Sequence, residues 1–380
     1  MRLSDYLESI QMTDGIHLTI ANSVSDLVQG DIKEHLPLER IPLAGDVLGL
    51  GTTTSTDNGE LAFIYRANSN TTGIYKCHAN TGGIHEVCVG DGSDHFPYAC
   101  YSSDASTNGV VIDVAALSSE PDWQLVDWIK AAIDTLDTPA AIYGLRVRCR
   151  WQQLVITVAS KLCMGQRNRN SAADSEAASG AAIYDTLQHY LLAPHDPLHP
   201  NSKIAYLGDA LDWDCCGFFD TQPETGRVTV AQAGANLHVH GVSRDHRFGG
   251  HLHHEHGDTR LLAIDQLILY PINRITELGS DLSVQELKWD GAVLSFKVCN
   301  LGTLDISDVG IDVVPDDSYS KRQYLRLPWL AAGASESFSL PLSLDTGSHS
   351  VLVAVDPVAD IIEPEADRAN NRAYIQCVVN

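Results

Sequence analysis

The chain has no run of about 18 apolar residues, the length that a membrane-spanning helix requires. A helical membrane span is therefore not expected. Its opening segment, 1–17, carries acids early and no apolar core stretch, so no secretory signal is expected either. Basic residues are scarce: 25 Lys and Arg stand against 49 Asp and Glu, a net charge of −24. Nucleic acid and anionic membrane both bind through neutralising cations, so this composition argues against both as partners. The acids are spread along the chain rather than gathered in a tail, which suits solubility. The nine cysteines contain no Cys-x-x-Cys, and the adjacent Cys215 and Cys216 cannot easily pair with each other. Reduced, buried thiols in a cytoplasmic protein are the expectation. There is no Gly-x-Gly-x-x-Gly, no phosphate-binding Gly-Lys-Ser/Thr and no Gly-x-Ser-x-Gly. Nucleotide binding and serine-hydrolase chemistry thus lack their signatures.

What the chain has is histidine in one place. Seven of its 16 histidines fall between Asn236 and Asp258. His238 and His240 are two apart, so on a strand both leave the same face, while Leu237 and Val239 turn the other way. His251 follows eleven residues after His240, directly behind Gly249-Gly250. A strand, a polar loop and a returning strand can place three imidazoles around one cation. Three neutral nitrogens with an open fourth position suit a catalytic Zn²⁺. His246, His253, His254 and His256 are spare, and His253 could share the face of His251.

At 380 residues, with 44% hydrophobic, the chain is long enough for two or three domains with real cores. A short helix is expected over Ser4–Gln11 and a strand over Glu60–Tyr65. Leu48-Gly49-Leu50-Gly51-Thr52 reads as a tight strand connection. The strongest helical pattern is Ser119–Leu136, with Ser119 as cap and Pro121 in the first turn. Ala140–Val147 and Trp151–Val158 read as a strand pair, Gln166–Gly180 as a polar insertion, and Ile183–Leu192 as a short helix. A strand is expected over Arg260–Tyr270. After Pro271 the pattern changes to short strands at regular spacing: Ala292–Val298, Val309–Val314, Tyr324–Leu327, Ser337–Leu342, Ser348–Val355 and Arg372–Val378. This rhythm predicts a seven-strand sandwich.

The stretch His238-Val-His240…Gly249-Gly250-His251 resembles the zinc motif of the α-acetolactate decarboxylase family. GDVLGLGTTTSTDNGEL (45–61) resembles that family's early strand-turn segment, with one extra residue between Thr52 and Glu60. AAIYGLRV (140–147) resembles the segment after its main helix, and Leu267–Pro271 the strand that closes its core. The resemblance covers roughly 1–275. The end of the chain, VDPVADIIEPEADRANN (355–371) with Leu294–Gly302, is similar to CARDB-type Ig-like adhesion domains. The implied fold is α+β: a β-rich two-part core of mixed and antiparallel sheets with a few helices over 1–277, then an Ig-like β-sandwich over 278–380.

The resemblance implies a lyase that converts 2-acetolactate to acetoin and CO₂ with Zn²⁺ on His238, His240 and His251. It assigns Arg146 to the substrate carboxylate or the developing negative charge, although Arg148 and Arg150 alternate with it on the same strand face. It assigns Glu60 to protonation of carbon, with Thr52 nearby as a substrate contact. The family's tail glutamate has no motif match here; Glu277 and Glu286 are the nearby candidates. A small β-keto acid substrate and a homodimer are implied, while the sandwich's partner is undefined. The competing readings are another β-keto acid on the same zinc site, and a catalytically silent binding protein.

Overall fold

The computed structural model describes residues 15–53, 59–79, 81–103, 109–117, 120, 122–158, 189–197 and 204–379. Ser4–Gln11, Ser119, Pro121 and Gln166–Gly180 lie outside these residues. The chain divides into two compact units. The smaller takes its described residues from Asp31–His35 and Leu278–Asn380, the larger from Ser4–Gly30 and Leu36–Glu277. Among the described residues no helix is long and apolar enough to cross a membrane.

The larger unit begins with β1 (Ile16–Ala21), α1 (Val24–Gln29), β2 (Leu48–Thr52), β3 (Glu60–Arg66), β4 (Thr71–Cys77), β5 (Ile84–Glu86) and β6 (Tyr98–Ser102). Then come α2 (Leu125–Ile133), β7 (Ile142–Thr157), β8 (His189–Leu192), β9 (Ile204–Gly208), β10 (Asp212–Asp220), β11 (Leu237–Ser243), β12 (Gly249–Leu252) and β13 (Arg260–Leu278). With the two-residue strand Val110–Val111 they make one 14-stranded sheet. Its main order is β10-β11-β12-β7-β13-β1-β6-β2-β3-β4-β5.

The long strand β7 organises the sheet. It pairs with β10 through Ile142–Arg150 and with β12 through Ile156 and Thr157. Since β10, β11 and β12 are successive neighbours, the four strands close a circuit. Tyr143, Leu145, Val147 and Cys149 of β7 join a core with Trp213, Cys215, Leu237 and Val239. Leu125 and Ile129 of α2 are fully buried in that core. Each such side chain contributes about 1.5–3 kcal/mol by leaving water. The alternate residues, among them Arg146, Cys216, His238, His240 and His251, therefore take the opposite face. Strands β2 and β3 cover it: the Cys216 thiol donates to the Gly49 carbonyl at 2.9 Å.

Four expectations need correction. The strand pair around Arg148 and Arg150 is one strand of 16 residues; the polar interruption is absorbed by bulges in its pairing with β13. His189–Leu192 is a strand, not the end of a helix, because β7 and β9 bond it on both sides and all four residues are buried. Leu48–Thr52 is itself a strand rather than a connection. Its glycines permit close packing: a Cβ on Gly51 would stand 2.5 Å from the Tyr98 carbonyl oxygen. The expected long helix is confined to Leu125–Ile133, entered from an extended Gln124 and followed by turn bonds from Thr135 and Leu136.

The smaller unit holds β14 (Leu282–Trp289), β15 (Val293–Asn300), β16 (Ile306–Pro315), β17 (Gln323–Leu330), β18 (Ser335–Pro341), β19 (Gly347–Val355) and β20 (Arg372–Val379). They form a three-stranded sheet, β14-β15-β18, and a four-stranded sheet, β17-β16-β19-β20. Val284, Phe296 and Leu340 of the first share a core with Ile311, Val313, Val351 and Val353 of the second. The strand Leu282–Trp289 was not among those expected; Gln285–Lys288 carries a register shift that masks its alternation. This unit also includes Asp31–His35. The fully buried His35 is held by hydrogen bonds between Nδ1 and the Asp305 carbonyl at 2.9 Å and between Nε2 and the Asp31 carboxyl at 2.7 Å.

Candidate metal centre

Strands β11 and β12 pair antiparallel, with His240 opposite His251. His238 lies two residues before His240 and so shares its face. One nitrogen from each of the three rings lies within 4.8 Å of the others. The Gly249-Gly250 pair lets β12 fit there: a Cβ on Gly250 would stand 2.7 Å from the Thr157 carbonyl oxygen, and one on Gly249 2.7 Å from the Cys77 sulfur.

Two of the rings have defined tautomers. His238 Nδ1 is 2.6 Å from the Val228 carbonyl oxygen, and His240 Nδ1 is 2.8 Å from that of Leu61. Carbonyls only accept, so both Nδ1 atoms donate and each neutral ring turns the lone pair of Nε2 inward. Those two Nε2 atoms are 3.1 Å apart. Facing lone pairs repel unless an electrophile lies between them. Two nitrogens bound tetrahedrally at about 2.0–2.1 Å would be about 3.3–3.4 Å apart, close to this spacing. The residues thus fit a zinc ion, with backbone carbonyls fixing the ligand rings from behind.

Electrostatics agrees with neutral ligands. Burial pushes His238 down to about 4 from its ordinary 6.5. Burial, then the neighbouring His238, holds His240 well below the ordinary range. His251 is lowered strongly too, by burial first and then by His253, His238 and His240. All three rings are ready to bind a cation at pH 7 without first losing a proton. The same shifts set a pH dependence for the metal-free protein. Between about 6.5 and about 4 the unfolded chain takes up a proton at His238 that the folded chain refuses. This contribution to stability is complete above about pH 6.5 and declines as pH falls through that window. Denaturant midpoints of metal-free protein should therefore fall with acidification, and more steeply than those of His238→Gln.

Glu60 opens β3 and is 8% exposed. Its Oε2 lies 3.3 Å from His240 Nε2, so the carboxyl stands at the triad. Thr52 sits directly opposite Glu60 in the β2–β3 pairing, and its buried hydroxyl has no hydrogen-bond partner among the described residues. Arg146 shares a cross-strand row with Cys216 and His240. Its guanidinium donates from Nε to Asp46 Oδ1 at 2.7 Å, from Nη1 to the Phe63 carbonyl at 3.0 Å and from Nη2 to the Val47 carbonyl at 2.8 Å. Tyr270 donates to the other oxygen of Asp46 at 3.3 Å. The Arg146 guanidinium is thus held by Asp46 and two backbone carbonyls. Arg148 and Arg150 are more exposed and pair with Asp214 and Asp265. Glu277 is exposed. Glu286 belongs to the smaller unit and pairs with Lys297 at 2.6 Å.

Of the four remaining histidines, His246 is exposed in the β11–β12 turn, where a positive φ of 58° suits a tight reversal. His253 and His254 are buried, at 4% and 9% exposure. The carbonyls of Leu61 and Val228, and Asp46 behind Arg146, had no side-chain pattern by which to be found. Seven of the eight described cysteines are buried; Cys88 is exposed.

No protein-family model matches the chain, and no curated protein matches it. Among solved structures, α-acetolactate decarboxylase from Bacillus subtilis strain 168 is similar over 69% of this chain and 88% of its own, with 15% identity and a TM-score of 0.46. A Staphylococcus aureus protein of unknown function, itself similar to α-acetolactate decarboxylase, gives 14% identity, the same coverage and a TM-score of 0.44. A CARDB domain from Pyrococcus furiosus, solved with di-metal ions, is similar over 27% of this chain and 94% of its own, with 17% identity and a TM-score of 0.22. These likenesses fall on the two families that the two parts of the sequence resemble.

Proposed function

We propose that the larger unit is a zinc-dependent decarboxylase that converts 2-acetolactate to acetoin and CO₂. One observation supports the metal above all: the lone pairs of His238 and His240 face each other at 3.1 Å, each fixed there by a backbone carbonyl. The choice of substrate rests on the sequence resemblance of the histidine, Glu60 and Arg146 segments.

Loss of CO₂ from a β-keto acid leaves an electron pair that the adjacent ketone must accept. Zn²⁺ held by His238, His240 and His251 would supply Lewis acidity toward the ketone and hydroxyl oxygens. The protein's own groups do the rest. Glu60, 3.3 Å from His240 Nε2, would hand a proton to the carbon that has lost CO₂. The Thr52 hydroxyl, buried opposite Glu60 and without a partner among the described residues, would offer a hydrogen bond to a substrate oxygen. Arg146 acts from its row as a fixed positive charge, partly offset by Asp46, and favours an anionic substrate.

The engagement of Arg146 by Asp46, Val47 and Phe63 favours a second reading, the same zinc chemistry on a different β-keto acid. Its guanidinium is held by the protein itself, so the substrate carboxylate need not be that of acetolactate. In either reading the smaller unit is an Ig-like, CARDB-type module appended to the enzyme.

The test is acetoin production from racemic acetolactate by the full chain, before and after chelation. Activity should disappear with the metal and return with added Zn²⁺. Zinc-loaded protein that releases CO₂ from another β-keto acid but makes no acetoin would decide for the second reading. Zinc-loaded protein inert toward both would make it a binding protein.

A further inference from the structure

The three metal-facing rings are not held alike. His238 and His240 each donate to a carbonyl, whereas the His251 ring makes no hydrogen bond among the described residues. Its position depends on what surrounds it. His238 and His240 have ring centroids 5.0 and 5.5 Å from its own. His253 is nearer, at 4.8 Å.

His253 is well fixed. Its Nδ1 donates to Glu255 Oε1 at 3.0 Å, which leaves Nε2 to accept from the Thr157 hydroxyl at 2.9 Å. Its backbone N–H donates to the Val155 carbonyl at 3.0 Å. Thr157 is only 1% exposed and lies directly opposite His251 in the β7–β12 pairing. The residue that pins His253 is thus also the cross-strand neighbour of the ligand.

We infer that His253, pinned between Thr157 and Glu255, is a positioning residue whose ring confines the His251 imidazole to its metal-facing orientation. This rests on the reading of His238, His240 and His251 as a metal centre. A ligand ring without its own hydrogen bond retains rotational freedom that metal binding must remove. A rigid ring packed against it reduces that freedom in advance.

The test uses Co²⁺ as a spectroscopic probe on the metal-stripped full chain. His253→Ala should weaken Co²⁺ binding roughly 10- to 100-fold, the usual effect of outer-shell loss, and change the visible band of the bound ion. His253→Phe keeps the bulk of the ring but loses both hydrogen bonds, and should recover part of that affinity. Glu255→Gln, at a half-exposed carboxylate, should weaken binding in the same direction by less. The inference is overturned if folded His253→Ala binds Co²⁺ within about twofold of the parent, or if His253→Phe binds no better than His253→Ala. If His253→Ala does not fold, unchanged affinity in Glu255→Gln overturns it instead. A parent chain that binds no Co²⁺ overturns the metal centre as well, which separates the two failures.

Discussion

His240→Ala should strip the chain of its metal and its activity together. Zinc bound at a four-ligand structural site gains about 10–16 kcal/mol, so each ligand accounts for about 2.5–4 kcal/mol. At 1.4 kcal/mol per decade, one lost imidazole weakens binding by roughly 10²–10³. His240 should fall at the upper end. It is fully buried, its Nδ1 is fixed by Leu61, and its Nε2 is 3.1 Å from that of His238 and 3.3 Å from Glu60. Its removal takes away a ligand and leaves a cavity beside the acid. Elemental analysis after dialysis would read the loss. His246→Ala, at the exposed turn of the same histidine-rich stretch, should keep its zinc and its rate. Equal loss in both variants would mean that the stretch binds metal as a loose cluster.

Glu60→Gln should separate chemistry from metal binding. The substitution keeps shape and hydrogen bonding but removes the transferable proton. A positioned general acid contributes about 10²–10⁴-fold, so kcat should fall by that factor while zinc content and KM change little. Stopped-flow measurement of CO₂ release against acetoin formation would locate the defect. If decarboxylation persists and protonation lags, Glu60 is the proton donor. Loss of zinc in this variant would instead make Glu60 a ligand, which its 3.3 Å approach to His240 Nε2 leaves geometrically open.

The part of this site that the sequence revealed is the part encoded by short-range spacing. His-x-His on a strand and Gly-Gly-His on its return need only the two-residue period and a tight approach of backbones, both visible in 236–252. The regular strands after residue 278 were legible for the same reason. What stayed hidden depends on partners distant in the chain. Asp46 and Arg146 are separated by 100 positions, and Thr157 and His253 by 96. The carbonyls of Leu61 and Val228 have no side-chain signature at all. The break expected between Val147 and Trp151 is absent from strand β7: Arg148 and Arg150 reach toward solvent, and pairing on both edges carries the strand through them. His189–Leu192 was misread because a short apolar run fits a helix until neighbouring strands claim its backbone. The segment Asp31–His35 joins the smaller unit through His35 and Asp305, 270 positions apart, which no local pattern announces.

The central claim is that His238, His240 and His251 hold one zinc ion through nitrogen. X-ray absorption at the zinc edge, on purified chain of known metal content, tests it most directly. The account predicts one zinc per chain with three imidazole nitrogens at about 2.0–2.1 Å. A folded chain without zinc, or a zinc shell of sulfur at about 2.3 Å, would contradict it.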